Sequence, residues 1–559
     1  MQAIVPVALR AGVGLLLAGA IWLRVTSLES VPELCGDEAW LGAQMARLLQ
    51  GKPFEHQTFS GNPLNPFFSS MVLALVAIGR PSAWLIRLPA VLSGLAAVWL
   101  TYKLGSRVLG RTTAMIAAIG LAALPPAIIF SRTGFDYCQL PFFGMLALYF
   151  AFRANAVGAL LASAAGVIVH PTAVFLVPAV AAVFLTQAWR RTEGDAHARR
   201  WLVMGTLAVS VACAALVGLF TLYRTYVKDY YCDHHDQRPS WSQFLAGFDR
   251  FFLGLNLSPH EVPLWKGWLP PVSAGTLRLQ DTLFWLTLGS VALIGTRRLW
   301  LRRAWDRLAL VAGTVASIAG FHLVAGANVL LTPAYRYGVF MIVPVVLSFA
   351  CLAESVLTEP ADAPRLARRR FQLLLLTALG GVLLCCTKWN WFDPRNQGGR
   401  ESLLTLRSEA RDSHRQALDL IRRDAAALAG SQPAGAKAPI VILGEDYWNY
   451  RPLQFYSGPS RDVEVYCLTE AAVERDRHRT DLAEAMVAGA YVVGLKGGPV
   501  EQALKNAPQD RIKRWELGGH YPKSTVVYRI TREGEPAGPT AAHASTWNRS
   551  SRPAPAARR

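Results

Sequence analysis

Apolar runs of roughly 15–22 residues recur along this chain with short polar stretches between them. Runs of that size are the mark of helices crossing about 30 Å of bilayer hydrocarbon. They lie near 4–23, 84–104, 112–130, 139–153, 156–170, 172–188, 201–222, 281–296, 308–326, 338–356 and 371–388. The pattern predicts a polytopic α-helical membrane protein with about eleven transmembrane helices. A further run, NPFFSSMVLALVAIG at 65–79, is short, starts after GNPLNP and ends at GRPS. Proline and glycine at both ends stop a helix rather than extend it, so this run predicts a juxtamembrane or partly inserted helix. Past residue 388 the period changes. Residues 401–429 carry an amphipathic helical pattern, and short β-rich runs follow at 439–443 (PIVIL), 463–467 (VEVYC), 491–495 (YVVGL) and 525–530 (TVVYRI). Helical stretches between such strands predict a small α/β domain over 389–532. The Pro-, Ala-, Ser- and Arg-rich residues 533–559 predict a disordered tail.

Composition supports the membrane assignment: of 559 residues 52% are hydrophobic and 17% charged, with a mean hydropathy of +0.26. The net charge of +19 would suit nucleic acid if it formed a surface, but the arginines sit in short loops between apolar runs. Arg107 and Arg111 form one set. Arg190, Arg191, Arg199 and Arg200 form the next, Arg297, Arg298, Arg302, Arg303 and Arg307 the third, and Arg365, Arg368, Arg369 and Arg370 the last. All four fall on one side if the N-terminus is cytoplasmic, as the positive-inside rule requires. Nucleic acid is therefore not an expected partner, whereas membrane lipid is. Loops 24–83, 131–138, 223–280 and 327–337 then face outward, and the odd span count carries the C-terminal domain out of the cytoplasm. The first run contains Arg10 and lacks a small-residue cleavage site, so it reads as an uncleaved span. The eight cysteines show no metal spacing; Cys385 and Cys386 sit in an apolar run, and Cys35, Cys138, Cys232 and Cys467 imply no disulfide framework.

The outward loops hold the candidate chemistry. In PELCGDEAWLGAQMARLLQGKPF, 32–54, Asp37 and Glu38 open a short amphipathic helix. Asp37 suits an N-cap and Glu38 the helix dipole. A helix of that kind lying on the membrane surface also holds a carboxylate at headgroup height, where it can serve as a base on an acceptor hydroxyl. In SRTGFDYCQLP, 131–141, Arg132 and Asp136 are four apart, which suits either an intrahelical ion pair or a cation for phosphate beside a second carboxylate. In LLTPAYRYGVF, 330–340, Arg336 lies between Tyr335 and Tyr337. The tyrosines fit an aromatic belt, and a guanidinium just outside the hydrocarbon can grip a lipid phosphate bidentately. His170, in VIVHPTAVF, is an ionisable group at a membrane edge, suited to function or to capping beside Pro171. The DHHD at 233–236 and His260 leave a divalent metal undecided, since four consecutive side chains cannot all reach one ion.

The acidic pair, then RLPAVLSGLAAVWLTYKLGSRVLGR at 87–111, then FSRTGFD at 130–136, together resemble the GT-C glycosyltransferases. The resemblance is nearest to the branch of the dolichyl-phosphate-mannose protein mannosyltransferases and the bacterial lipid A aminoarabinose transferase. It covers about residues 1–190, more loosely 300–350, and faintly the C-terminal domain. It implies a GT-C membrane domain over 1–388 in the cell inner membrane and a polyprenyl-phosphate-linked sugar donor used on the outer face. It also implies Asp37 and Glu38 with Asp136 as catalytic acids, and Arg87 joins Arg132, Arg336, Tyr335, Tyr337 and His170 as substrate-binding residues. Sugar and acceptor stay open. Bacterial relatives often carry Glu-Lys-Pro where this chain reads SGNP at 60–63, and Lys52, Glu55 and His56 are the nearby groups that can stand in. A lipid-linked sugar flippase would be expected to bury charges at mid-membrane and show repeats; the charges here cluster at loop edges. A non-catalytic assembly protein is the other alternative.

Overall fold

A computed structural model describes residues 4–29, 34–57, 64–79, 82–200 except 198, 204, 240–241, 251–252, 274–325 and 334–357. It further describes 372–384 except 375 and 382, 413–429, 439–458, 462–468, 489–505, 511–517 and 525–531. The chain divides into two compact units, one of residues 1–28, 65–71 and 87–405 and one of 29–64, 72–86 and 406–559.

The first unit is helical. Its order is α1 (Ile4–Val25), the latter part of α4 (Ala83–Val108), α5 (Arg111–Ala123), α6 (Pro125–Phe130), α7 (Leu140–Phe152), α8 (Ala156–Val169), α9 (Val177–Arg191), α10 (Ala274–Leu301), α11 (Trp305–Ala325) and α12 (Ile342–Leu357). Among the described residues, Val7–Val25, Ala83–Val108, Pro171–Arg191 and Gly338–Leu357 are long and apolar enough to cross a membrane. These helices make the chain an integral membrane protein. The other expected spans fall on α5–α6, α7, α8, α10, α11 and the helical residues between 372 and 384; the expected span 201–222 lies, but for residue 204, outside the described residues. The short helix α3 (Pro66–Ile78) has 13 residues, about 20 Å at 1.5 Å each, less than the hydrocarbon thickness.

Close helix contacts use glycine. A Cβ at Gly313 of α11 would lie 2.7 Å from Ala179 Cα and 2.8 Å from Pro178 O on α9, so only glycine lets these backbones meet. Where α5 gives way to α6, Pro125 and Pro126 have no N–H to offer the carbonyls four residues earlier. Those carbonyls belong to Leu121 and Ala122, and the buried Arg24 guanidinium donates to both, at 3.3 and 3.1 Å. At the other ends of these helices, Glu354 of α12 accepts from Thr113 Oγ1 at 2.7 Å and pairs with Arg307. Arg307 also donates to Leu109 O at 2.7 Å.

The second unit holds a five-stranded sheet: β1 (Ile440–Gly444), β2 (Val463–Cys467), β3 (Tyr491–Leu495), β4 (Ile512–Leu517) and β5 (Thr525–Ile530), in the order β2-β1-β3-β5-β4. The first three strands run parallel, with Ile442 opposite Val465 on one side and Tyr491 on the other, while β5 and β4 add antiparallel. Helix α13 (Ser413–Ala429) covers one face, packing Ala417, Leu418 and Ile421 on Ile442, Val493 and Val527. On the other face Leu443, Val492, Val526 and Tyr528 pack with Val500 and Leu504 of α15 (Pro499–Leu504). Strand β4, IKRWEL, was not anticipated from sequence: it sits at the sheet edge, where polar residues replace the apolar run that marks a central strand. Residues 401–412 and the 533–559 tail lie outside the described residues.

The same unit contains α2 (Gly36–Leu49) and α14 (Tyr447–Ser457), which pack together. Gly42 is the contact point: a Cβ there would lie 2.5 Å from Ile86 Cδ1 and 2.6 Å from Phe455 Cε2.

Candidate functional site

The acidic pair sits in the first turn of α2, and this helix begins earlier than the sequence indicates. Expected over 38–50 with Asp37 as cap, it runs from Gly36 with Cys35 at the N-cap position. The cause is Glu38. As the third helical residue it reaches back so that its Oε2 accepts the Cys35 N–H at 3.2 Å, the return half of a capping box. Glu38 is fully buried and Asp37 half-buried. The two neighbouring carboxylates thus differ in access. The apolar side expected to lie on the membrane surface instead buries Ala39, Trp40, Leu41 and Met45 within protein, against α14.

A polar joint sits one turn further along. Glu55 Oε2 accepts from Trp40 Nε1 at 2.6 Å, and the Glu55 N–H donates to Gln44 Oε1 at 2.8 Å. Arg451 of α14 pairs with the same carboxylate oxygen at 3.2 Å. Lys52 and His56, the other two groups near the departure from the Glu-Lys-Pro pattern, are exposed.

In the first unit, Arg132 and Arg87 are buried at 2% and 0% exposure. Arg132 donates to Leu23 O and, at 2.7 Å, to Thr26 O, carbonyls at the end of α1 that have run out of helical partners. Arg87 donates to Leu28 O at 2.9 Å. Burial, with the charges of Arg87 and Arg24 adding to it, pushes the Arg132 guanidinium down to about 9. Arg87 and Arg24 are therefore close enough for their charges to act on Arg132. Residues 131–135 form a turn rather than a helix, so Arg132 and Asp136 do not share a helix face. Asp136, half-buried, opens a 3-10 turn at Asp136–Gln139, with Oδ1 accepting the Tyr137 N–H at 2.8 Å. Burial first, and then the Asp136 charge, push the Cys138 thiol well up.

His170 caps the 3-10 turn Pro171–Leu176: its Nδ1 accepts the Thr172 N–H at 3.3 Å and lies 2.8 Å from Thr172 Oγ1. An accepting Nδ1 puts the ring proton of the neutral form on Nε2. The ring meets Tyr137 edge-on at 6.2 Å, and Tyr137 stacks on Phe135 at 5.1 Å. His170 and the Asp136–Gln139 turn thus come together. Tyr335, Arg336 and Tyr337 lie in a 3-10 turn at Ala334–Met341. Among the described residues no group of three metal-ligating side chains assembles; 233–236 and His260 lie outside them.

Sequence reasoning missed Arg24 and the Glu55–Arg451 pair. The first had a signal in Pro125-Pro126, which strands two carbonyls inside a membrane and demands a buried donor. The second had none, because its partners are about four hundred residues apart.

Residues 60–217 match the family model described as dolichyl-phosphate-mannose-protein mannosyltransferase. The crystal structure of ArnT from Cupriavidus metallidurans bound to undecaprenyl phosphate is similar at a TM-score of 0.53 and 14% identity, covering 92% of this chain and 97% of that one. The apo structure of the same protein gives 0.52 and 15% over the same shares. No curated protein matches the chain by sequence. The chain has the GT-C fold of ArnT, with a small sheet domain at its C-terminal end.

Proposed function

We propose that this protein is a membrane glycosyltransferase that moves a sugar from a polyprenyl-phosphate carrier to an acceptor on the outer face of the cell inner membrane. One observation carries the reading: an acidic pair on a helix start in which Glu38 is committed to the cap while Asp37 keeps partial access to solvent. The family match over 60–217 and the fold of ArnT, which binds undecaprenyl phosphate, support the donor class.

The reaction is a single inverting displacement. Asp37 takes the proton of the acceptor hydroxyl or amine as its heteroatom attacks the anomeric carbon. The bond from that carbon to the phosphate oxygen breaks, and polyprenyl monophosphate departs with the electron pair. Negative charge grows on the phosphate in the transition state, where cations are most effective. Arg336, between Tyr335 and Tyr337, contacts that phosphate, and the tyrosines pack on the lipid-linked sugar. Arg24, Arg87 and Arg132 supply positive potential while fastening helix ends, and an anion nearby offsets the repulsion that Arg132 feels from the other two. Asp136 orients the acceptor, and His170, through Tyr137, keeps the adjoining turn in place.

The test is transfer by the full-length protein in membranes, supplied in turn with polyprenyl-phosphate donors carrying different radiolabelled sugars. Label moving to an acceptor, and lost in Asp37→Asn, supports the reading. No transfer from any donor, or equal transfer by the Asn variant, sinks it.

A further inference from the structure

Asp37 can act as a base only if α2 presents it at a fixed angle about the helix axis, since a displacement of about 1 Å at a reacting group costs on the order of 10²-fold in rate. What fixes that angle is visible within the second unit. Trp40 lies three residues beyond Asp37 and Gln44 one turn further, all on neighbouring faces of α2. Both side chains hold one residue, Glu55: Trp40 Nε1 donates to its carboxylate at 2.6 Å, and Gln44 Oε1 accepts its N–H at 2.8 Å.

That carboxylate is held in turn by Arg451, 3.2 Å away. The Arg451 side chain is 8% exposed and also donates to Gln454 Oε1 at 2.9 Å, with its guanidinium 4.8 Å from the centre of the Tyr450 ring. The arginine is thus fastened at several points within α14, which follows the internal strand β1 and precedes β2 in the chain. Two turns of α2 meet one residue, Glu55, through its carboxylate and its N–H, and the carboxylate meets a cation anchored in the sheet domain. Gly42, pressed against Phe455 of α14, brings the helices close enough for this geometry.

We propose that Arg451 and Glu55 are positioning residues for the acidic pair: the C-terminal domain sets the orientation of the catalytic base through the series Arg451, Glu55, Trp40. The inference rests on the reading of Asp37 as the base. It assigns the sheet domain a part in the chemical step in addition to any acceptor contact. Neither residue touches the reacting atoms, so their effect must pass through the acids, and that dependence is measurable.

The experiment is a double-mutant cycle in the full-length protein, with donor KM and kcat measured from radiolabelled product. Arg451→Ala is expected to lower kcat about 10- to 100-fold while donor KM stays within about twofold. In the Asp37→Asn/Glu38→Gln background, where nothing remains to be positioned, the same change should lower the residual rate by less than about twofold. Equal losses in both backgrounds mean Arg451 serves folding or another step, and overturn the inference. An undiminished kcat in Arg451→Ala, beside an inactive acid-pair variant, overturns it and leaves the base reading standing. Normal transfer by the acid-pair variant removes the base reading itself and the inference with it. If Arg451→Ala does not accumulate, Glu55→Gln keeps an acceptor for Trp40, removes the charge facing Arg451, and must show the same non-additivity.

Discussion

Asp37 and Glu38 are adjacent in sequence, yet the helix start buries Glu38 against the Cys35 N–H and leaves Asp37 half-buried. Asp37→Asn should lower turnover by about 10²–10⁴, the usual loss for a general base, while Cys35 keeps the cap position. Glu38→Gln retains an oxygen that can accept the Cys35 N–H, so it should keep most activity, whereas Glu38→Ala should cost about 1 kcal/mol of stability. Turnover and thermal unfolding of the three variants, measured together, decide the assignment; a silent Asp37→Asn is the adverse result. Arg336→Ala should weaken donor use more than acceptor use, by about 2–4 kcal/mol in the transition state. Donor titrations at saturating acceptor check this, and unchanged kcat and donor affinity would remove the phosphate role.

At the scale of elements, glycine contacts and stranded carbonyls make the structure testable away from the chemistry. Gly313 meets the α9 backbone, while Gly42 meets the tips of Ile86 and Phe455 side chains. Side chains can shift and backbone cannot, so Gly313→Ala should lower the unfolding midpoint more than Gly42→Ala, with overpacking costs of about 1–3 kcal/mol typical. The reverse order in detergent thermal melts would show that these contacts are looser than the distances indicate. Arg24→Met fills similar volume yet leaves the Leu121 and Ala122 carbonyls without their donor. It should cost about 1–3 kcal/mol for each unsatisfied group, and the yield of folded protein after extraction is the readout.

For the whole molecule, we propose from the arginine pattern and the odd number of expected spans that the C-terminal domain lies outside the cytoplasm. A reporter active only in the cytoplasm, fused after residue 532, should stay silent; a strong signal would put Asp37 on the wrong side for the proposed donor. The membrane class, most helix positions and four of the five strands were legible because each follows from local composition: an apolar run must leave water whatever its neighbours are. The first-turn acids, too, could be picked out, since helix starts have a local signature. Strand β4 could not, because an edge strand borrows its identity from β5 beside it. The different surroundings of Asp37 and Glu38 depend on a shift of two residues in the start of α2. The uses of Arg24 and Arg132 depend on which carbonyls the packed helix ends leave exposed. The Glu55–Arg451 joint depends on bringing the first loop and the C-terminal domain into one unit. Sequence by itself determined what had to be buried and along which stretches most helices run. Tertiary structure alone decided which buried polar groups meet, because the partner that satisfies a carboxylate or a guanidinium can come from any distance along the chain.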